Sequence, residues 1–587
     1  MEKSEPIQSM ARPIPLKLLL LVALAVNLPL MAMKLPLKTY DTNLHVLFAS
    51  HYLHHWFNPW NPKWYAGFSQ TTYPPLTHQW IAALSPIIGL EYGYMAVQLA
   101  GILLLVVGVY RFSLLWVSPR AASLAALASI FLGAESFLVY NAGQLATTCA
   151  APIYLNALPF LYEWVRRGGW RSFVKATAVF TAAAAAHHAT LIFGSLLFAV
   201  PVMALAWRDR EEGEGLEGRQ FAWRTTAIVL TVAVTVTLVL LPFWVALIHY
   251  PVTQAPIPHP SRANYILSPN WAITYFLVPY GAMILALPFV FLRGSTDRRL
   301  RPLLLGFWLT FLLGLGGTTP VGYYLLGRAF EVLTFERFSY WASLMALPIV
   351  GILIEELVWR FRTVAAVGIF ILGALSFGIA AAWIHYVPVS DENPDVRPVA
   401  AWLNRDGHDR YRYITLGFGN QLSVLARLTN ANSVDGEWNS GRMLPELMMY
   451  GGAQLTAAKY NGQAGMDSLH AILRHANRYG LKWVFSFDHD YDPLMYFTGW
   501  NRVGSLDDNT ITIWSKNNVP PATPRSAAQI PPAWQGILWG TLPMGSSILA
   551  ILMVLIPEEK RRQEGLSDAE ERWDVPEETL SQRRVVL

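Results

Sequence analysis

The sequence predicts a mostly α, polytopic transmembrane helical bundle of about twelve spans, several of them shorter than the roughly 20 apolar residues of a full crossing, with a small extracytoplasmic α/β domain. Three observations predict it. Only 14% of the 587 residues are charged and 53% are hydrophobic, against about 25% charged in ordinary soluble domains. The missing charge is absent from a series of apolar runs, each near the length that hydrocarbon about 30 Å thick requires. Arg and Lys collect in alternate loops between those runs, as the positive-inside rule demands. Backbone groups in hydrocarbon must bond within their own segment, so the runs are expected to be helices.

In chain order the spans are Leu18–Met33, Tyr94–Tyr110, Ala121–Phe137, Leu145–Trp164, Ser172–Ala186 and His188–Trp207. Thr225–Ile248, Trp271–Leu292, Leu303–Gly317, Phe338–Val358, Thr363–Ile384 and Trp534–Ile556 follow. Basic clusters flank them at Arg111/Arg120, Arg166–Lys175, Arg208–Arg224, Arg293–Arg301, Arg360/Arg362 and Lys560–Arg562. Both Lys175 and Arg208 are cytoplasmic by this rule, so the chain crosses twice between them and turns outside at His187 and His188. Both termini are then cytoplasmic, and the protein belongs in the cell membrane. The 23 Trp and 25 Tyr suit two membrane interfaces.

This divides the chain into a transmembrane module, 1–386, with a long first outer loop, 34–93; an extracytoplasmic domain, 387–530; and a last helix with its tail, 531–587. Within the domain, Arg412–Leu416, Lys482–Phe487 and Thr510–Trp514 read as strands, and Asp467–Tyr479 as a helix presenting Leu469, Ile472 and Leu473 on one face. The tail after Pro557 reads as disordered. The single cysteine, Cys149, excludes an intrachain disulfide framework. The first apolar run lacks a small-residue cleavage site and is expected to stay as a helix. The net charge of +5 resides in topological loops, so no nucleic acid is expected as a partner. No Walker loop, dinucleotide fingerprint or zinc spacing is present.

Chemistry-bearing residues gather on the outer side. Asp41 follows the first span, with His45 one helical turn on. A carboxylate here can take a proton from a hydroxyl or amide, or hold a divalent metal beside a phosphate. It can equally be no more than the cap of a helix over Thr42–Trp56. Glu135 ends the third span beside Tyr140, Asn141 and Gln144. Adjacent His187 and His188 diverge too far for a bidentate metal pair, and either is suited to a lipid phosphate or to interfacial polarity. Glu336 and Arg337 close an outer loop, where an Arg can grip a phosphate bidentately or serve a local ion pair. In Asp435-Gly436-Glu437-Trp438-Asn439-Ser440-Gly441 a turn-rich loop is expected at the rim of a site.

An acidic residue just after the first span, an amphipathic helix, a Trp/Pro/Gly-rich turn and Tyr73-Pro74-Pro75-Leu76 resemble the polytopic glycosyltransferases of the GT-C superfamily. These include oligosaccharyltransferase catalytic subunits and protein mannosyltransferases. The resemblance implies sugar transfer from a polyprenyl-phosphate-linked donor to a protein, lipid or glycan acceptor at the outer face. It implies Asp41 as the essential acid and Glu135 as carrier of a second acidic position, the two holding a divalent cation, Mg or Mn. It is consistent with Arg337 at the donor phosphate, where His187 and His188 are also expected, and His45, Tyr73 and Trp438 are expected at the acceptor or rim. Trp438 and Gly441 match the Trp-Trp-Asp acceptor motif of oligosaccharyltransferases only in part, with Asn439 in place of the acid. The competing reading is a non-catalytic membrane scaffold that keeps the fold. A transporter is disfavoured, because no charge is expected mid-span and no paired broken helices are evident.

Overall fold

The computed structural model describes residues 12–209, 217–249, 259–387, 394–449, 454–524 and 529–556. The expected disordered tail, with Lys560–Arg562, lies outside them. Every expected span falls on helix. The first is Leu16–Ala32, followed by Leu90–Ser113, Pro119–Ile130 continued by Gly133–Phe137, Leu145–Arg167 and Trp170–Ala186. His188–Arg208 and Ala533–Leu555 carry the expected runs of their regions, whereas the run expected at 225–248 is divided at Leu240 between Gly218–Val239 and Leu241–His249. Among the described residues six helices are long and apolar enough to cross a membrane alone, or seven with one bent pair; Leu16–Ala32 and Arg301–Gly314 are shorter apolar helices. The bent pair, Pro269–Tyr280 and Met283–Thr296, turns by 68°. This corrects the expectation of an unbroken span. The break sits at Gly281 (φ +47°), where a Cβ would lie 1.8 Å from Ser376 Oγ, so only glycine fits.

The long helix Glu336–Ala382 contains the two runs expected at 338–358 and 363–384, joined at Arg362 with φ 49° and ψ −127°. Its neighbours show that the chain reverses there. Gly351 packs on the Ala121 carbonyl, and Glu355 pairs with Arg120 at 3.7 Å. Beyond the break, Gly373 packs on Phe131 and Phe377 O accepts from Ser136 Oγ at 3.0 Å. The first half therefore descends beside 119–137 and the second climbs back along it.

The basic loops meet at one end of the bundle. Arg299 bonds Asp209 at 2.7 Å and the Leu115 carbonyl at 2.7 Å. Arg224 donates to Arg166 O at 2.8 Å, and Lys175 to Ile556 O at 2.8 Å. Such contacts neutralise charge and satisfy the ends of helices together. Because Cys149 is buried, single cysteines report sidedness cleanly. Asp508→Cys, in the domain, is expected to react with an impermeant maleimide on intact cells, and Ser295→Cys, at the basic end, only after permeabilisation. The opposite pattern would invert the topology.

At the other end the first outer loop and the domain form one layer. Strands β1 (Trp60–Asn61) and β2 (Phe68–Ser69) make a small antiparallel ribbon. Strands β3 (Arg412–Leu416), β4 (Leu481–Ser486), β5 (Asn501–Leu506) and β6 (Ile511–Ser515) form a sheet of order β3-β4-β6-β5, parallel only between β3 and β4. The expected helix lies at Gly462–Arg474, broken before Ala476–Tyr479, with Leu469, Ile472 and Leu473 fully buried. Leu44, Phe48, Trp64 and Phe68 of the loop share one apolar core with Ile414, Val484 and Trp514 of the domain. Lys63 Nζ caps the Thr429 carbonyl at 2.6 Å, and a Cβ on Gly436 would strike Tyr65 and Trp64 at 2.7–2.8 Å. The boundary expected at 387 thus separates two halves of a single packed unit.

Candidate active site

Between this outer layer and the bundle lies the cleft that holds Asp41. The chain leaves the first helix, makes a short turn at Leu35–Lys38, and is pinned to the neighbouring loop. Tyr40 N bonds Asn141 O at 3.2 Å and Asp41 N bonds Ala142 O at 3.0 Å. Those acceptors belong to a π-helical turn, Leu138–Ala142, a device common at functional sites. Gly143 (φ +73°) closes it, and a Cβ there would sit 2.3 Å from Thr39 Oγ1. Asp41 occupies the N-cap position of the helix Thr42–His55, yet its backbone is helical and its side chain makes no capping bond. Capping therefore does not explain this residue. The residue as a whole is half-buried. Burial, reinforced by the Glu336 carboxylate and opposed by the Arg337 guanidinium, pushes its pKa up to about 7.

Arg337 is half-buried, with Nη2 donating to Thr334 Oγ1 at 2.7 Å and Nε buried without a partner. Glu336 beside it is buried and accepts from Gln144 Nε2. The segment is held from below by Phe335 N to Ser261 Oγ at 2.9 Å and by Arg262 Nη1 to Leu333 O at 2.7 Å. An Arg so placed, with most of its fork unspent, is a ready anion site.

His187 and His188 both lie within electrostatic reach of Arg337. His187 Nδ1 bonds Thr190 Oγ1 at 2.8 Å, whereas His188 Nδ1 is buried without a partner. The extended backbone at His187 separates the rings to 6.0 Å at 54°. Tyr73 faces Asp41 and Arg337 electrostatically. It packs edge-on to Trp438 at 4.6 Å, whose Nε1 donates to Thr72 Oγ1 at 3.1 Å. These two rings wall the cleft.

Two expectations are corrected by packing. His45 does not reach the rim: it is 1% exposed, hydrogen-bonded through Nδ1 to His78 Nε2 at 2.9 Å, and stacked on that ring. Burial holds its pKa down near 3, so it is neutral. Glu135 is 5% exposed and turns its carboxyl to the Tyr340 hydroxyl; the charges that act on Asp41 are Glu336 and Arg337, and that of Glu135 is not among them. Among the described residues no three or more His, Cys, Asp or Glu side chains are grouped to hold a metal ion.

The loop expected at the rim brings in an acid to which the sequence assigned no role of its own. Glu437 hangs from the domain with Ser423 Oγ donating to its Oε2 and its Oε1 buried without a partner. Burial first, then the charges of Asp41 and Asp435, hold its carboxyl well above the usual range. Tyr40, bonded to Gln454, lies within electrostatic reach of both Asp41 and Glu437.

No protein-family model and no curated protein matches the sequence. Solved structures do resemble it. Arabinofuranosyltransferase AftD from Mycobacteria matches 86% of the chain at 14% identity, with a TM-score of 0.52. The chain spans only 40% of that larger protein. ArnT from Cupriavidus metallidurans, in the apo state, matches 87% of this chain and 98% of its own, at 12% identity and a TM-score of 0.51. At such identities the likeness is one of fold.

Proposed function

Given that the chain has the GT-C fold, we propose that it is a membrane glycosyltransferase taking a sugar from a polyprenyl-phosphate-linked donor to an acceptor at the outer face of the bilayer. The observation that carries this reading is an Asp41 carboxylate that is not used as a cap, lies within electrostatic reach of the Arg337 guanidinium and has its pKa lifted by burial to about 7. In the proposed step an acceptor oxygen attacks the anomeric carbon while the bond from that carbon to the phosphate oxygen breaks. Asp41 takes the acceptor proton, and the polyprenyl phosphate leaves with the electron pair. Arg337, with His187 and His188 behind it, meets the charge that grows on the leaving phosphate. Donors aimed at developing charge in a water-poor site are worth most in the transition state. The acceptor approaches past Tyr73 and Trp438.

A base must be ionised to act, so the sign of the pH dependence follows. With Asp41 near 7, kcat/KM is expected to rise with pH through about 7 and then level. A profile flat from pH 5 to 8 would remove Asp41 as the base. The side of the reaction is tested with oriented vesicles. Donor supplied in the outer leaflet of right-side-out vesicles should support transfer without any nucleotide sugar; strict dependence on a cytoplasmic nucleotide sugar would overturn the proposal.

A further inference from the structure

A second cavity, of about 270 Å³, opens beside the cleft where the β1–β2 ribbon, the 441–443 loop and the start of the last helix meet. It is mostly apolar and is lined by Trp60 and Trp534, by Ser69, Thr71 and Thr72, whose hydroxyls already bond one another and the neighbouring Ser69 carbonyl and Trp438 indole, and by Gln535. No Asp, Glu, Lys, Arg or His is among its described lining residues.

The walls are fixed by packing. Trp60 lies flat over Gly67 (φ +109°), where a Cβ would come within 2.3 Å of the ring, so the indole is held from one side. The last helix is seated on the same turn. A Cβ at Gly536 would strike the Phe57 carbonyl at 1.9 Å, Trp56 Nε1 bonds Gly540 O at 2.8 Å, and Gln79 Nε2 bonds Trp539 O at 2.8 Å. Pocket and cleft are adjacent: Thr72 lines the pocket and accepts from Trp438, while the next residue, Tyr73, faces Asp41.

We propose that this pocket is a saccharide subsite, binding one neutral sugar ring of the acceptor so that the ring beyond it reaches past Trp438 and Tyr73 to Asp41. Three features favour a sugar. Rigid indole faces carry negative π-density that attracts the polarised C–H groups of a pyranose or furanose face. The Gln535 amide, with the spare lone pair of the Thr72 hydroxyl that already donates to Ser69 O and accepts from Trp438, is neutral and suited to sugar hydroxyls. The absence of charge disfavours a phosphate or a carboxylate. The volume falls just below the ~300 Å³ at which pockets begin to take drug-sized ligands, so it suits a single ring. The assignment of this ring to the acceptor rests on the transferase reading; the binding itself does not.

The test is saturation-transfer NMR on the full-length protein in a detergent without a sugar headgroup, with the methyl glycosides of glucose, mannose, galactose and arabinofuranose as probes. At least one is expected to bind saturably, at least tenfold more weakly in Trp534→Ala and in Gln535→Leu, and unchanged in Asp41→Asn. Trp534 is 45% exposed, so its variant should fold; Gln535→Leu keeps the shape if it does not. Binding that survives both variants, displacement by decanoate in place of any glycoside, or no saturable binding would overturn the subsite. Glycoside binding in a protein that transfers no sugar would sink the transferase reading and leave the subsite standing.

Discussion

Asp41→Asn is expected to fold normally and to transfer sugar at least about a hundredfold more slowly than the wild type. The size follows from losing a positioned base, typically on the order of 10²–10⁴ in rate. Asn keeps the shape, and no side-chain capping bond exists to be lost. The stability effect has a definite sign. The Asp41 pKa in the fold, about 7, lies above the ~3.9 of an unfolded chain, so the fold favours the protonated acid. That contribution is complete below about pH 4 and is lost as pH rises through 7. A neutral Asn escapes the loss, so the variant should melt no lower than the wild type at pH 8 in detergent. Wild-type turnover would strip Asp41 of its role. A variant that melts far lower would point to a structural part for the carboxylate.

Arg337→Lys is expected to lose on the order of 10²–10³ in kcat, the usual cost of removing a donor aimed at developing charge. Lysine keeps the charge but not the planar fork, and it is a point donor where a phosphate presents two oxygens. Arg337→Gln should fall at least as far and should also move the rising limb of the pH profile. The guanidinium lowers the Asp41 pKa, so without it the limb shifts to higher pH. A merely structural arginine would change the rate and leave the limb in place. Equal turnover in the Lys variant would show that charge alone suffices there.

The helices were legible because hydrocarbon leaves few choices: apolar length and loop charge mark a span without tertiary knowledge. Even the reversal at Arg362 is signalled by the basic pair Arg360/Arg362 between two apolar runs. Asp41 was legible because it is the acid that directly follows the first span. What failed was side-chain direction. Glu135 lies in the loop expected for a second acid, but its helix turns it towards Tyr340, and it is the backbone of Asn141, Ala142 and Gly143 that meets the Asp41 segment. His45 shares the helix with Asp41 but points into the packed ring of His78. Strand β5 was missed because Asn-Arg-Val-Gly-Ser-Leu, on a sheet edge with its first half exposed, lacks a period of two. Glu437 could not be found locally. It becomes a neighbour of Asp41 only because Phe48, Trp64 and Phe68 join the core of a domain more than 300 residues away.

The most direct measurement of the central claim is single-turnover transfer by purified protein from a radiolabelled polyprenyl-phosphate sugar, screened over protein, lipid and glycan acceptors without nucleotide sugar, for wild type and Asp41→Asn side by side. The expected result is label on an acceptor and free polyprenyl phosphate in equal amounts with the wild type, and at least about a hundredfold slower appearance of both with the variant. Label that stays on the lipid with every acceptor, or moves equally fast in both proteins, would contradict a transferase built on Asp41.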